Sequence, residues 1–141
     1  MDIRKFAVVT TNRLHLRSAN DELMYAEGAD GAPDLTKPLL VHLHGPGSRE
    51  YAAAQSAQQN RMVDVLKRRG KTKQSAEDSA AEHAEFLAAC TASMENVEYD
   101  GLEGDALHRA VYVDRSIGFV AEQVARFLGD WGNFTTGSTK P

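Results

Sequence analysis

His42 and His44 sit two residues apart in the run Leu39–Tyr51 (LLVHLHGPGSREY), so on a strand both rings point to the same side. His15 joins them if its own strand lies alongside. Three imidazoles on one face are a zinc donor set with a position left open. Against this, the rings alternate with Val41 and Leu43, which puts them on a solvent face beside Arg13 and Arg17. Nearby cations repel a metal ion, and no carboxylate lies at a fixed spacing to orient the rings. The solvent-face reading is favoured, and it calls for no metal and no cofactor.

His44-Gly45-Pro46-Gly47 follows a strand, as an oxyanion loop does in α/β hydrolases. The G-x-S-x-G elbow of that fold is absent, and no G-x-x-x-x-G-K-[ST] phosphate loop follows the strand. Turn chemistry accounts for the glycines: Gly45, Pro46 and Gly47 form a hinge, and Ser48 caps the helix that starts there, with Glu50 in its first turn. The other reactive residues also read as structural. Lys67 to Lys73 holds five basic residues in seven with no aromatic between them, a solvated helix end first and a site for an acidic protein second. His83 has no second histidine to complete H-E-x-x-H. Cys90 reads as a small buried side chain, and His108 as a surface residue. No catalytic set results.

The elements that position these residues fall into two regions. Leu14 and Leu16, and Val41 and Leu43, alternate with polar neighbours, and Leu23 and Tyr25 share a face, which predicts three short strands within residues 12–44. Glu27 to Lys37 reads as a surface loop. The strands form a meander or hairpin whose apolar face is Leu14, Leu16, Val41 and Leu43. Residues 48–131 read as helices. The first runs from about Arg49 to Arg69 with a weakly apolar, small-residue face. The second, capped by Ser75, carries a stripe from Ala76 through Leu87 to Thr91 and Met94. A short third spans Asp105 to Tyr112. The last, capped by Asp114, shows Ile117, Val120, Ala121, Val124, Phe127, Leu128 and Trp131 on one side and Gln123 on the other. The expected fold is α+β, mostly α: a small antiparallel β unit packed on about four helices. One domain is expected over residues 1–134, with a disordered tail over 135–141.

At the end of the last helix, Phe127, Trp131, Asn133 and Phe134 either anchor it in the core or present a docking surface. They are the candidate partner-binding residues.

Composition narrows the partners. The net charge of −4 gives no basic field for nucleic acid, and the apolar runs are too short to span a membrane. Phe6 to Val9 is too short for the apolar core of a secretory signal. A single cysteine excludes an internal disulfide. A cytoplasmic protein is expected.

Three blocks, GPGSREYAAAQ, AEFLAACT and VYVDRSIGFVAEQVARFLGDWGNF, resemble the tail assembly chaperones of long-tailed bacteriophages and prophages. The resemblance spans about Leu14 to Phe134 and is weakest in the N-terminal strands. It implies a mostly helical, non-enzymatic protein of the host cytoplasm, absent from the finished virion. Its partners would be the tape-measure protein, which it keeps soluble, and tail-tube subunits, which it helps recruit. It also implies a longer form made by ribosomal frameshifting, joined near Thr135 to Pro141, and leaves room for self-association. Two alternatives stand beside it. One is a structural tail or tail-completion protein; the other is a small metal-dependent enzyme built on His15, His42 and His44.

Overall fold

A computed structural model of the chain describes residues 1–69 and 76–135, with no side-chain account for 69, 76 and 77. The elements run β1 (Thr11–His15), β2 (Tyr25–Glu27), β3 (Pro33–Pro38), β4 (Leu40–His44), α1 (Arg49–Arg69), α2 (Ala76–Ala89), β5 (Thr91–Glu95), α3 (Gly104–Val113) and α4 (Gly118–Leu128). The fold is mixed α+β, with four helices and a small antiparallel sheet among the described residues.

β4 is the middle strand of the three-stranded sheet, between β1 and β5, and both pairings are antiparallel. Leu14 faces Val41 across β1 and β4, and Leu14, Leu16, Val41 and Leu43 are all buried. These four carry the apolar side of the sheet into a core completed by Leu87, Val111, Val124, Leu128 and Phe134. These four share the inward face, as the alternation requires, while Leu40 on the histidine face is also buried.

Two strands depart from the sequence expectation. The meander through Leu23–Tyr25 does not form. Instead β2, at the end of the expected second strand, pairs with β3, which lies in the stretch expected to be a loop. Its Gly31 turns at φ +79, a backbone glycine adopts without strain. β3 begins and ends in proline and leaves Leu35 exposed, so no buried face stamps a period on its sequence. The third strand of the main sheet is β5, which lay inside the expected second helix. That helix stops at Ala89 with no glycine to end it. Cys90 N–H closes the last turn on Phe86 O, and the chain then pairs with β4. Thr91 Oγ1 lies 2.8 Å from Leu87 O and 2.7 Å from the Tyr112 hydroxyl, so its polar atom is satisfied inside the core. Tertiary pairing overrides a local preference in which only Thr91 favours a strand.

The last helix starts one short turn later than expected. Asp114 caps a 3₁₀ turn, Arg115–Ile117, that leads into α4 at Gly118. Its carboxylate accepts from Ser116 N–H (2.8 Å), Ser116 Oγ (2.6 Å) and Tyr99 Oη (2.7 Å). Val120, Ala121, Val124, Phe127 and Leu128 form the buried stripe of α4. The Ser75 cap and residues 136–141 of the expected tail lie outside the described residues. α1 packs chiefly on α2, through Tyr51 edge-on to Phe86 (5.7 Å) and an Arg61–Glu82 ion pair (2.7 Å).

Candidate functional site

The outer face of the sheet carries His15, His42 and His44, as the alternation requires, but each ring has its own partner. His15 Nε2 lies 2.8 Å from Met24 O, and His42 Nε2 lies 2.9 Å from Glu95 Oε1. His44 Nδ1 is 3.8 Å from Glu50 Oε2. Arg13 stands opposite His42 in the register. Among the described residues no group of three or more His, Cys, Asp or Glu side chains is arranged to hold a metal ion. Glu95 is the orienting carboxylate that sequence spacing could not supply, because it reaches His42 only once β5 is recognised as a strand.

The glycines of the hinge answer to packing more than to turn geometry. A Cβ on Gly45 would stand 2.4 Å from Phe134 Cδ2, and one on Gly47 would stand 2.8 Å from Val8 Cγ2. Gly45 is the floor on which the Phe134 ring rests. Ser48 Oγ accepts from Tyr51 N–H (3.1 Å) and donates to Gly45 O (2.6 Å), tying the hinge to the first turn of α1.

His108 corrects its surface reading. It is 4% exposed, with Nδ1 unpaired and 4.0 Å from Asp105 Oδ1. Its place on the inner side of α3 explains the burial, which holds its pKa below the usual imidazole value. It borders an open cleft of about 600 Å³ shared with Glu98, Glu103 and Tyr99. Cys90 is fully buried, and desolvation pushes its thiol up to about 12, far from a nucleophilic thiolate. His83 is exposed.

The four residues at the end of the last helix separate. Phe134 is 0% exposed and Phe127 7%, and their rings meet edge to face at 5.3 Å. Both are core, which corrects their assignment as partner-binding residues. They bury because the chain turns back after Gly129 into a 3₁₀ turn, Trp131–Phe134, and drops Phe134 onto Gly45. Asn133 supports that turn: its Nδ2 donates to Phe127 O (3.1 Å), and its carbonyl accepts from Asn12 Nδ2 (2.7 Å). Trp131 stays 56% exposed, so it anchors little and presents a ring to solvent.

Exposed large apolar side chains stand singly at Leu35, Leu102 and Val113 and are grouped along the chain in two further places. One is the N-terminal arm with Trp131. Ile3 and Phe6 share a face of a 3₁₀ turn, Val9 N–H bonds to Phe134 O, and Val8 and Trp131 both approach Gly47. Ile3 is 79% exposed and Phe6 66%. The other is the C-terminal half of α1, with Met62, Val63 and Leu66. Sequence periodicity placed Met62 and Leu66 on the packed stripe of that helix. It could not show that α2 covers only the side carrying Ala54 and Val65.

No protein family, curated protein or solved structure matches this chain. Among the described residues no helix is long and apolar enough to cross a membrane.

Proposed function

We propose that this chain is a non-enzymatic tail assembly chaperone of a long-tailed bacteriophage or prophage. It binds the tape-measure protein, keeps that long helical protein soluble and helps recruit tail-tube subunits. It acts in the host cytoplasm and is left out of the finished virion. A frameshifted form extended beyond residue 135 would serve the tube contact.

The observation that carries the reading is the pair of exposed apolar surfaces on an otherwise well-packed chain. Exposed apolar surface of this kind is a place for another protein to sit. His15 and His42 have hydrogen-bond partners, and Cys90 and the glycine hinge are packed into the fold, which fits a protein that binds rather than reacts. The resemblance of the three sequence blocks supplies the identity of the partner.

Co-expression with the tape-measure protein of the same phage is the test. The chain should move that protein from the pellet to the supernatant and co-purify with it. A tape-measure protein equally soluble alone, with this chain present in purified virions, would replace the reading by that of a structural tail component.

A further inference from the structure

β5 is an end strand of the main sheet, with β4 on one side and no strand on the other among the described residues. The ladder fixes which of its backbone groups face the open side. Leu16 N–H bonds to Leu39 O and Gly45 N–H to Thr10 O, so alternation makes Leu14 and Val41 a bonded pair of β1 and β4. Val41 thus points its N–H and C=O at β1. Met94 stands opposite Val41 on β5, so its own N–H and C=O point away from the sheet. The cleft of about 600 Å³ runs along this edge. Ser93 lies opposite His42 and Met94 opposite Val41, on different faces, yet both line the cleft, so it follows the strand's edge rather than either face.

The charged lining is of one sign. Glu98 and Glu103 line the cleft, and no lysine or arginine does. Asp100 and Asp105, both exposed, lie beside them in the chain. His108 also lines it, 4% exposed, with Nδ1 lacking any hydrogen-bond partner. Nδ1 is 4.0 Å from Asp105 Oδ1, too far for a hydrogen bond between them. One donor nitrogen can bridge that gap at about 2.8–3.0 Å from each atom. An ammonium group has three N–H donors for such a bridge and a charge that the carboxylates favour. Desolvation favours the neutral imidazole, whose Nδ1 can accept.

We propose that β5 and this cleft take an extended peptide carrying a lysine: its backbone pairs with the open edge at Met94, and its ammonium group enters the cleft toward Glu98, Glu103 and the His108–Asp105 pair. Main-chain pairing supplies affinity and the acidic lining selects the side chain, as in other strand additions. A second copy of the chain is disfavoured as the occupant, since it brings the same carboxylates and a net charge of −4 to the contact. The cleft shares no residue with the two exposed apolar surfaces, and the proposal does not depend on what those hold.

The test uses the full chain and a labelled peptide of alternating valine and threonine with one central lysine. Fluorescence anisotropy should show it bound, and glutamate in place of the lysine should weaken binding by about tenfold or more. Methylating alternate amides of the peptide should weaken it in one phase and not in the other, because only one edge of an added strand faces β5. Glu98→Gln with Glu103→Gln, both at exposed positions, should keep the circular dichroism of the wild type and lower affinity for the lysine peptide by about tenfold. His108→Leu, with the same dichroism, should lower that affinity and leave that of a methionine-substituted peptide unchanged. Equal binding of the lysine and glutamate peptides, binding of neither, indifference to amide methylation, or a folded His108→Leu variant that binds as wild type does overturns the proposal. So does displacement of the peptide by an equal concentration of butylamine, because the cleft then holds a small amine. A dimer of the chain alone, seen by sedimentation and lost on Met94→Pro, overturns it too, because a second copy then closes the edge.

Discussion

Gln123 on α4 holds the backbone of Arg17 by both ends of its amide. Arg17 N–H donates to Gln123 Oε1 at 2.7 Å, and Gln123 Nε2 donates to Arg17 O at 2.6 Å. One side chain therefore supplies the donor and acceptor that a neighbouring strand would give to residues just past β1. Gln123→Ala removes both bonds and should cost about 1–2 kcal/mol in urea unfolding. Gln123→Glu replaces the donor by an oxygen facing Arg17 O, so it should cost more than alanine at neutral pH.

Phe134→Ala should destabilise the fold by about 3–5 kcal/mol, the range for deleting a buried aromatic ring. Gly45→Ala should also destabilise, because its new methyl meets the same ring. The two are coupled: in a Phe134→Leu background the cost of Gly45→Ala should shrink, as a thermal double-mutant cycle would show. Additive costs would mean the ring does not rest on Gly45.

Leu128→Ala lies on the buried stripe of α4, at 2% exposure, and should cost roughly 2–5 kcal/mol in urea unfolding. A loss typical of surface sites, below about 0.5 kcal/mol, would contradict that placement.

Asp114 makes stability depend on pH. Its hydrogen bonds with Ser116 and Tyr99 favour the carboxylate and hold its pKa below the ordinary value. A lowered folded pKa contributes stability that is present above the unfolded carboxyl pKa, about 3.9, and is lost as pH falls through the folded value. Asp114→Asn should thus lower the unfolding midpoint near neutrality, and its gap from wild type should close in acid. A gap independent of pH would show that the carboxylate charge contributes nothing.

Cys90 should resist a thiol reagent at about pH 8 in the folded protein and react once denaturant opens the core. Prompt labelling without denaturant would contradict its burial.

The legible part of this fold was whatever carries its own period. Leu14, Leu16, Val41 and Leu43 alternate because one side of each strand is buried, and α4 repeats because one flank is. β5 was illegible because Thr91 to Glu95 takes its strand form from β4, far away in sequence. Residues that act through a distant partner were hidden in the same way. Gln123 looks like solvent-side polarity until Arg17 is beside it. Gly45 looks like turn chemistry until Phe134 is above it. Of the candidate surface, Trp131 was visible as an aromatic near a helix end. The exposure of Met62 and Leu66 was not, since an apolar residue at helical spacing looks the same whether or not another helix covers it.

The seam between the first strand and the last turn also sets an order of events. Val9 bonds to Phe134 and Asn12 to Asn133, and the Phe134 ring closes over Gly45. During synthesis the sheet edge at β1 is made first, and its lid is made some 120 residues later. Until residue 134 leaves the ribosome, the core stands open on that side with its apolar lining wet. Contacts this distant in sequence are slow to form. The nascent chain therefore passes through a long interval in which it is itself aggregation-prone and in need of shelter.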